Sequence, residues 1–168
     1  YFGDGAANQG QVYESYNIAS LWKLPVVFVI ENNKYGMGTS VNRSSAGDNL
    51  SDRGKAYGIK SEIVDGMDII AVRESAIRAI EYCRLGKGPY ILEMKTYRYR
   101  GHSMSDPAKY RTRDEVEKIR KKSDPIENIK ILLNKMGVED KVLKDIDVKI
   151  KSKIADAANF AQDSPEPS

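Results

Sequence analysis

The sequence predicts an α/β fold: a parallel sheet flanked by helices, followed by a helical C-terminal third. Three observations carry this. A glycine turn, Gly3-Asp4-Gly5, leads through a helical pattern into a continuous β-branched and aromatic run, Val26-Val27-Phe28-Val29-Ile30. Strand, turn, helix, strand is the building unit of a parallel sheet. A second set follows in the same order, with Ser61 to Val64, a helical stretch, and Pro89 to Thr96. Beyond residue 113 the apolar residues recur at helical spacing alone.

The elements justify themselves in turn. Residues 6–23 read as a helix because Val12, Tyr16, Ala19 and Trp22 share one face, and Pro25 stops it. Val26 to Ile30 lacks alternation, the mark of a strand buried on both faces. Glu31 to Gly36 is a polar loop, and 37–53 a surface loop rich in Ser, Gly and Asn. The helix from about Asp68 to Leu85 places Val72, Ala76, Ala79, Ile80 and Cys83 together, with Gly86 as its stop. Residues 97–113, crowded with Arg and Tyr, fit no period and read as a loop. A short charged helix covers 114–122. Ser123-Asp124-Pro125 pairs a capping side chain with proline at the first helical position. The helix it opens draws its core face from Ile126, Ile129, Leu132, Leu133 and Met136, and Gly137 ends it. Leu143, Ile146, Ile150, Ile154, Ala157 and Ala161 mark a final long helix. The expected organisation is an α/β part over 1–113, a helical extension packed on it over 114–163, and a polar, proline-rich tail over 164–168.

Composition narrows the function. With 168 residues there is enough chain for a sizeable core. Twenty-seven basic residues against 24 acidic ones leave a formal +3, which does not favour nucleic acid or an anionic membrane as the main partner. The longest apolar runs are far too short to span a bilayer. A single cysteine, Cys83, excludes an internal disulfide, suits a reducing compartment, and sits on a core face where packing is its role. The chain opens on Tyr1 just before its first glycine turn, so it reads as a fragment of a longer protein.

The chemistry concentrates at two loops. Glycines at 3 and 5 let the backbone turn sharply and approach a ligand, and the helix behind them suits phosphate. Asp4 would repel phosphate unless a cation lay between, and magnesium, with its hard oxygen ligands, fits that place. Asn33, at the end of the next strand of the same unit, is placed to add an amide oxygen. Taken separately, the first segment is equally an ordinary strand-to-helix turn and the second a polar turn. Their spacing within one strand–helix–strand unit is what makes the pair specific.

Gly3-Asp4-Gly5, then Asn32-Asn33 about thirty residues on, resembles the thiamine diphosphate motif. The stretches Gly3 to Gly10, Glu31 to Ser40 and Tyr97 to Pro107 are similar to alpha subunits of thiamine diphosphate-dependent 2-oxo acid dehydrogenases, the pyruvate dehydrogenase type in particular. The resemblance covers essentially the whole chain and implies a thiamine diphosphate-binding fold. It implies that Asp4 and Asn33 give side-chain oxygens to Mg2+ and Tyr35 its main-chain carbonyl. Gly5 and Ala6 bring N–H groups to the diphosphate, and His102 is the active-site histidine, in contact with the cofactor. It implies oxidative decarboxylation of pyruvate and transfer of the acetyl unit to a lipoyl group of dihydrolipoamide acetyltransferase. Activity then needs a beta subunit, in an alpha2beta2 heterotetramer, and the setting is cytoplasmic in a bacterium or the mitochondrial matrix in a eukaryote. Branched-chain 2-oxo acid and acetoin dehydrogenases are the alternatives within the fold, and a noncatalytic assembly subunit is the alternative outside it. Ser40 and Ser103 match phosphorylated positions of the mitochondrial members. Lys109, before Tyr110, stands where those members carry a third such serine, a departure that weakens the expectation of kinase control.

Overall fold

The computed structural model describes residues 1–47 and 49–166. The chain forms two compact units, Tyr1–Pro125 and Ile126–Ser168. The first holds a four-stranded, wholly parallel sheet of β1 (Phe2–Gly3), β2 (Val27–Asn32), β5 (Lys60–Asp65) and β6 (Tyr90–Lys95), in the order β1-β2-β6-β5. Between β2 and β5 lies a small antiparallel hairpin of β3 (Tyr35–Gly36) and β4 (Thr39–Ser40). β1 pairs with β2 at Phe2↔Ile30 and Gly3↔Glu31, so Asp4 and the Asn32-Asn33 turn leave the same edge of the sheet side by side.

Alternation along the strands divides the core between the two sheet faces. Ile30 and Ile91 meet Tyr16, Ala7, Leu50 and Ile59 on one side. Val29, Tyr90, Leu92 and Met94 meet Ala79 and Cys83 of α3 (Ile69–Arg84) on the other. On the first side Tyr16 of α1 (Gly10–Leu21) packs edge-to-face on Phe28, with ring centroids 4.8 Å apart, a geometry worth about 0.5–1.5 kcal/mol beyond burial. Asp68 caps α3, accepting from the N–H groups of Ile70 (2.8 Å) and Ala71 (3.1 Å), a contribution of about 1 kcal/mol. The Cys83 thiol is buried and donates to the Val26 carbonyl at 3.5 Å. Burial pushes its pKa up, which makes it an inert packing group.

The structure corrects several expectations. The helix expected over 6–23 is two pieces, a single 3-10 turn at Ala6–Asn8 and then α1, broken at the extended Gln9. Trp22 lies past the end of α1 and is exposed, because the chain turns away there. β2 runs two residues further than its apolar run, because ladder pairing with Met94 and Lys95 carries Glu31 and Asn32 along. The segment 37–53 is not simply a surface loop. It contains α2 (Val41–Ser44) and the start of a 3-10 stretch at Leu50–Tyr57, in which Leu50, Ser51 and Gly54 are buried against the sheet.

α4 (Arg113–Ser123) follows the loop over 97–112, and its Thr112 cap accepts from the Glu115 N–H at 3.1 Å. Of α5 (Pro125–Lys135), all but Pro125 belongs to the second unit with α6 (Asp140–Asp163). The helical spacing read for both is present, but the face is not buried as expected. Leu143 is the one buried residue of the described part of that unit, while Leu132, Met136, Ile150 and Ile154 are exposed. The last two residues of the expected tail, 167 and 168, lie outside the described residues.

Candidate functional site

At the carboxyl edge of β1 and β2 a cleft of about 560 Å3 is lined by Asp4, Gly5, Ala6, Asn33, Tyr35 and His102, together with Arg98 and neighbouring loop residues. All six residues picked from the sequence therefore meet in one cavity. A parallel sheet makes this so, because its strand ends deliver successive loops to one edge, where such sheets bind ligands.

Two glycines let the loops meet. A Cβ on Gly36 would lie 3.0 Å from the Cα of Gly5, and a Cβ on Gly5 would lie 3.2 Å from the Cα of Gly36. No other residue fits this close crossing without forcing the loops apart. Across it, Asp4 is buried and its Oδ2 has no hydrogen-bond partner among the described residues. Burial raises the Asp4 pKa, with the N–H groups of Asp4 and Asn33 and the charge of Arg98 pulling the other way. A buried carboxylate oxygen without a partner is costly, and a bound cation is the ordinary way such a cost is met.

The other donors follow within three residues. Asn33 Oδ1 accepts from the Tyr35 N–H at 3.3 Å and from Arg98 Nη2 at 3.1 Å. The Tyr35 carbonyl accepts from the same Arg98 nitrogen at 2.5 Å, and Met37 O from Nη1 at 3.1 Å. Thus one guanidinium already reaches both oxygens that, with Asp4, would make a cation site. Among the described residues no group of three or more His, Cys, Asp or Glu could hold a metal. A site here would draw on one carboxylate, one amide and one main-chain oxygen, a set suited to a hard cation that keeps waters and shares phosphate oxygens.

His102 lies on the loop at the cavity mouth, exposed, with its main chain fixed by a residue not singled out from the sequence. Asp106 accepts from the His102 N–H (2.7 Å), the Ala108 N–H (2.8 Å) and the Tyr110 hydroxyl (2.7 Å). The two N–H groups and the hydroxyl hold its carboxyl down, at about 2. Gly101 is required beside it, since a Cβ there would lie 2.5 Å from the Asp106 carbonyl oxygen. Asp-Pro in a loop is a turn signal, so this hub was open to detection as a turn but not as the anchor of a histidine. Ser103 is exposed near Ser105, and Ser40 lies in β4 opposite Tyr35. A second cavity, of about 510 Å3, shares Glu31 and Asn33 but is walled mainly by aliphatic groups such as Val29, Val72, Ile80 and Leu92.

The chain matches the Dehydrogenase E1 component family over residues 1–168. It is 61% identical over 169 residues to the pyruvate dehydrogenase E1 component subunit alpha of Rhizobium meliloti, covering 99% of this chain and 48% of that protein. It is 56% identical to the protein of that name from Zymomonas mobilis, across 99% of this chain and 47% of the relative. To the human mitochondrial somatic form of the subunit it is 54% identical, across 99% of this chain and 43% of the relative. The chain thus spans about half the length of the curated relatives it matches. Among the described residues no helix is long and apolar enough to cross a membrane.

Proposed function

The chain belongs to the dehydrogenase E1 component family, and from that premise we propose that it is part of the alpha subunit of a pyruvate dehydrogenase, carrying the metal and diphosphate end of the cofactor site. The reaction of the whole protein is oxidative decarboxylation of pyruvate with a lipoyl disulfide as acceptor, on the way to acetyl-CoA. Its partners are a beta subunit, in an alpha2beta2 heterotetramer, and the lipoyl domain of dihydrolipoamide acetyltransferase. The compartment is the cytoplasm for a bacterial source and the mitochondrial matrix for a eukaryotic one, in line with relatives of both kinds.

The observation that carries the reading is Asp4, buried, with Oδ2 lacking a partner among the described residues and facing the loop of Asn33 and Tyr35 across the Gly5–Gly36 crossing. In this reading Asp4, Asn33 and the Tyr35 carbonyl hold Mg2+, and the N–H groups of Gly5 and Ala6 face the diphosphate. When bound, thiamine diphosphate supplies the carbanion chemistry of the decarboxylation. The residues of the chain bind and orient. Arg98 brings a positive charge to the anionic end, and Asp106 fixes the main chain of His102 at the cavity mouth. The His102 imidazole, at the cavity mouth, delivers a proton to the lipoyl sulfur as its disulfide opens, a general-acid role.

The test uses the full-length chain assembled with its partner subunit. Pyruvate should be preferred over branched-chain 2-oxo acids and acetoin, and thiamine diphosphate should bind only with Mg2+. His102→Ala should keep part of the decarboxylation measured with an artificial electron acceptor but lose about 100-fold in lipoyl acetylation, the scale of a lost proton-transfer group. Cofactor binding indifferent to Mg2+ would overturn the metal site. Equal loss in both assays would move His102 from acyl transfer to cofactor binding.

A further inference from the structure

We infer that Glu93 is a positioning residue of the metal site: through the side chain of Asn32 it holds the turn that presents Asn33 and Tyr35 to Asp4. The inference rests on the reading of Asp4, Asn33 and Tyr35 as a magnesium site. Glu93 lies in the middle of β6 and is fully buried, on the sheet face where Ile91 and Ile30 form the core. A strand this apolar has no packing use for a carboxylate there. Burial would raise its pKa, yet the Lys95 ammonium (2.6 Å), the Asn32 amide and the Ser51 N–H together hold it below the ordinary value, so it stays ionised.

The contacts form a directed chain. Asn32 Nδ2 donates to Glu93 Oε1 at 2.7 Å. A carboxylate accepts only, so it selects the NH2 end of the Asn32 amide and turns the Oδ1 end away. That Oδ1 accepts the Lys34 N–H at 3.2 Å. Lys34 stands at φ +75, a left-handed conformation that a lysine enters only under constraint. On either side of this strained residue lie Asn33 and Tyr35, the two donors of the site. Glu93 Oε2 also accepts the Ser51 N–H at 2.9 Å, which ties the 3-10 stretch behind the turn to the same anchor.

The experiment again uses the full-length chain with its partner subunit, comparing Glu93→Gln, Asn32→Asp and the double exchange, with Asp4→Ala as reference. Each single exchange breaks the donor–acceptor match. Each should weaken Mg2+ binding, titrated calorimetrically in the presence of thiamine diphosphate, by about 10-fold or more, the usual scale for groups that orient metal ligands. Turnover at saturating Mg2+ should be largely kept. Without metal or cofactor, hydrogen exchange at the Lys34 amide should speed up. In the double exchange the new amide at 93 donates to the new carboxylate at 32, whose other oxygen accepts from Lys34, so Mg2+ affinity and slow exchange should both return. If Asp4→Ala abolishes Mg2+ binding while both single variants keep normal affinity and slow Lys34 exchange, Glu93 is a core ion pair only and the inference is overturned, even if the variants melt lower. Should Glu93→Gln fail to fold, Asn32→Asp and the double exchange decide by the same readings. If Asp4→Ala leaves Mg2+ binding intact, the metal reading fails instead, and the exchange rate at Lys34 still decides whether Glu93 holds the turn.

Discussion

Gly36→Ala puts the proposed metal geometry under a defined strain. The added Cβ would sit 3.0 Å from Gly5 Cα and 3.4 Å from Gly5 N, and both neighbours are backbone that cannot swing aside. Ordinary contact begins at 3.4 Å, so the two loops must part by 3.4 − 3.0, or 0.4 Å. Overpacking of this kind costs about 1–3 kcal/mol, against a typical domain stability of about 5–15 kcal/mol, so the fold should persist. The metal is less forgiving. Mg2+ demands oxygens at about 2.0–2.1 Å in a near-ideal octahedron, whereas Ca2+ accepts about 2.3–2.6 Å in flexible geometry. A parting of 0.4 Å between Asp4 and the Asn33–Tyr35 loop exceeds the ~0.2 Å within which metal–ligand distances hold. We expect Mg2+ affinity to fall about 10–100-fold, the range for disturbed metal surroundings, and Ca2+ affinity to fall much less. Calorimetry with each cation in the presence of thiamine diphosphate, on the full-length protein with its partner subunit, reads both. Unchanged Mg2+ affinity, or equal losses for the two cations, would refute the reasoning.

Two further substitutions follow from the same geometry. Asp4→Asn removes a buried charge whose Oδ2 has no partner among the described residues, so without metal the variant should melt higher than the parent in differential scanning calorimetry, while Mg2+-dependent cofactor binding should be lost. Asp106→Asn takes away one carboxylate oxygen of the hub, and exchange at the His102 or Ala108 amide should quicken on the order of tenfold per hydrogen bond lost. The Asp106 carboxyl titrates lower folded, at about 2, than its ordinary 3.8. Its hold on the loop is therefore complete above pH 3.8 and disappears as pH falls through about 2, which the amide shift of His102 in acid would follow.

The sheet and its strand-end loops were legible because a parallel sheet writes long apolar runs into the sequence, and because the glycines at 3 and 5 mark a sharp turn, of which Gly5 does come close to another stretch of backbone. What was not legible depends on contacts far apart in the chain. Nothing in the run Tyr-Ile-Leu-Glu-Met says that Glu93 points inward toward the Ser51 N–H, 42 residues away. The arginines of 97–113 marked only a loop, and the position of Arg98 on the oxygens of Asn33 and Tyr35 follows from where that loop meets the turn after β2. Helical period was readable throughout α5 and α6, but period reports a face and not what covers it, and most of those side chains are exposed, with Leu143 the buried exception among the described residues.

Arg98 would give the coupling between metal and diphosphate at the proposed site a thermodynamic sign. Its guanidinium donates to both Asn33 Oδ1 and the Tyr35 carbonyl, the oxygens a divalent ion would claim. A metal arriving by itself meets an internal rival of like charge and must displace it with nothing offered in return. A metal arriving with a diphosphate brings the anion to which the displaced guanidinium can turn. If the proposed site holds both, metal and diphosphate would each ease the entry of the other, and by linkage the coupling would be the same whichever is measured first. On the proposed site the arginine would make the two ligands a matched pair and disfavour a divalent cation settling alone in the cleft.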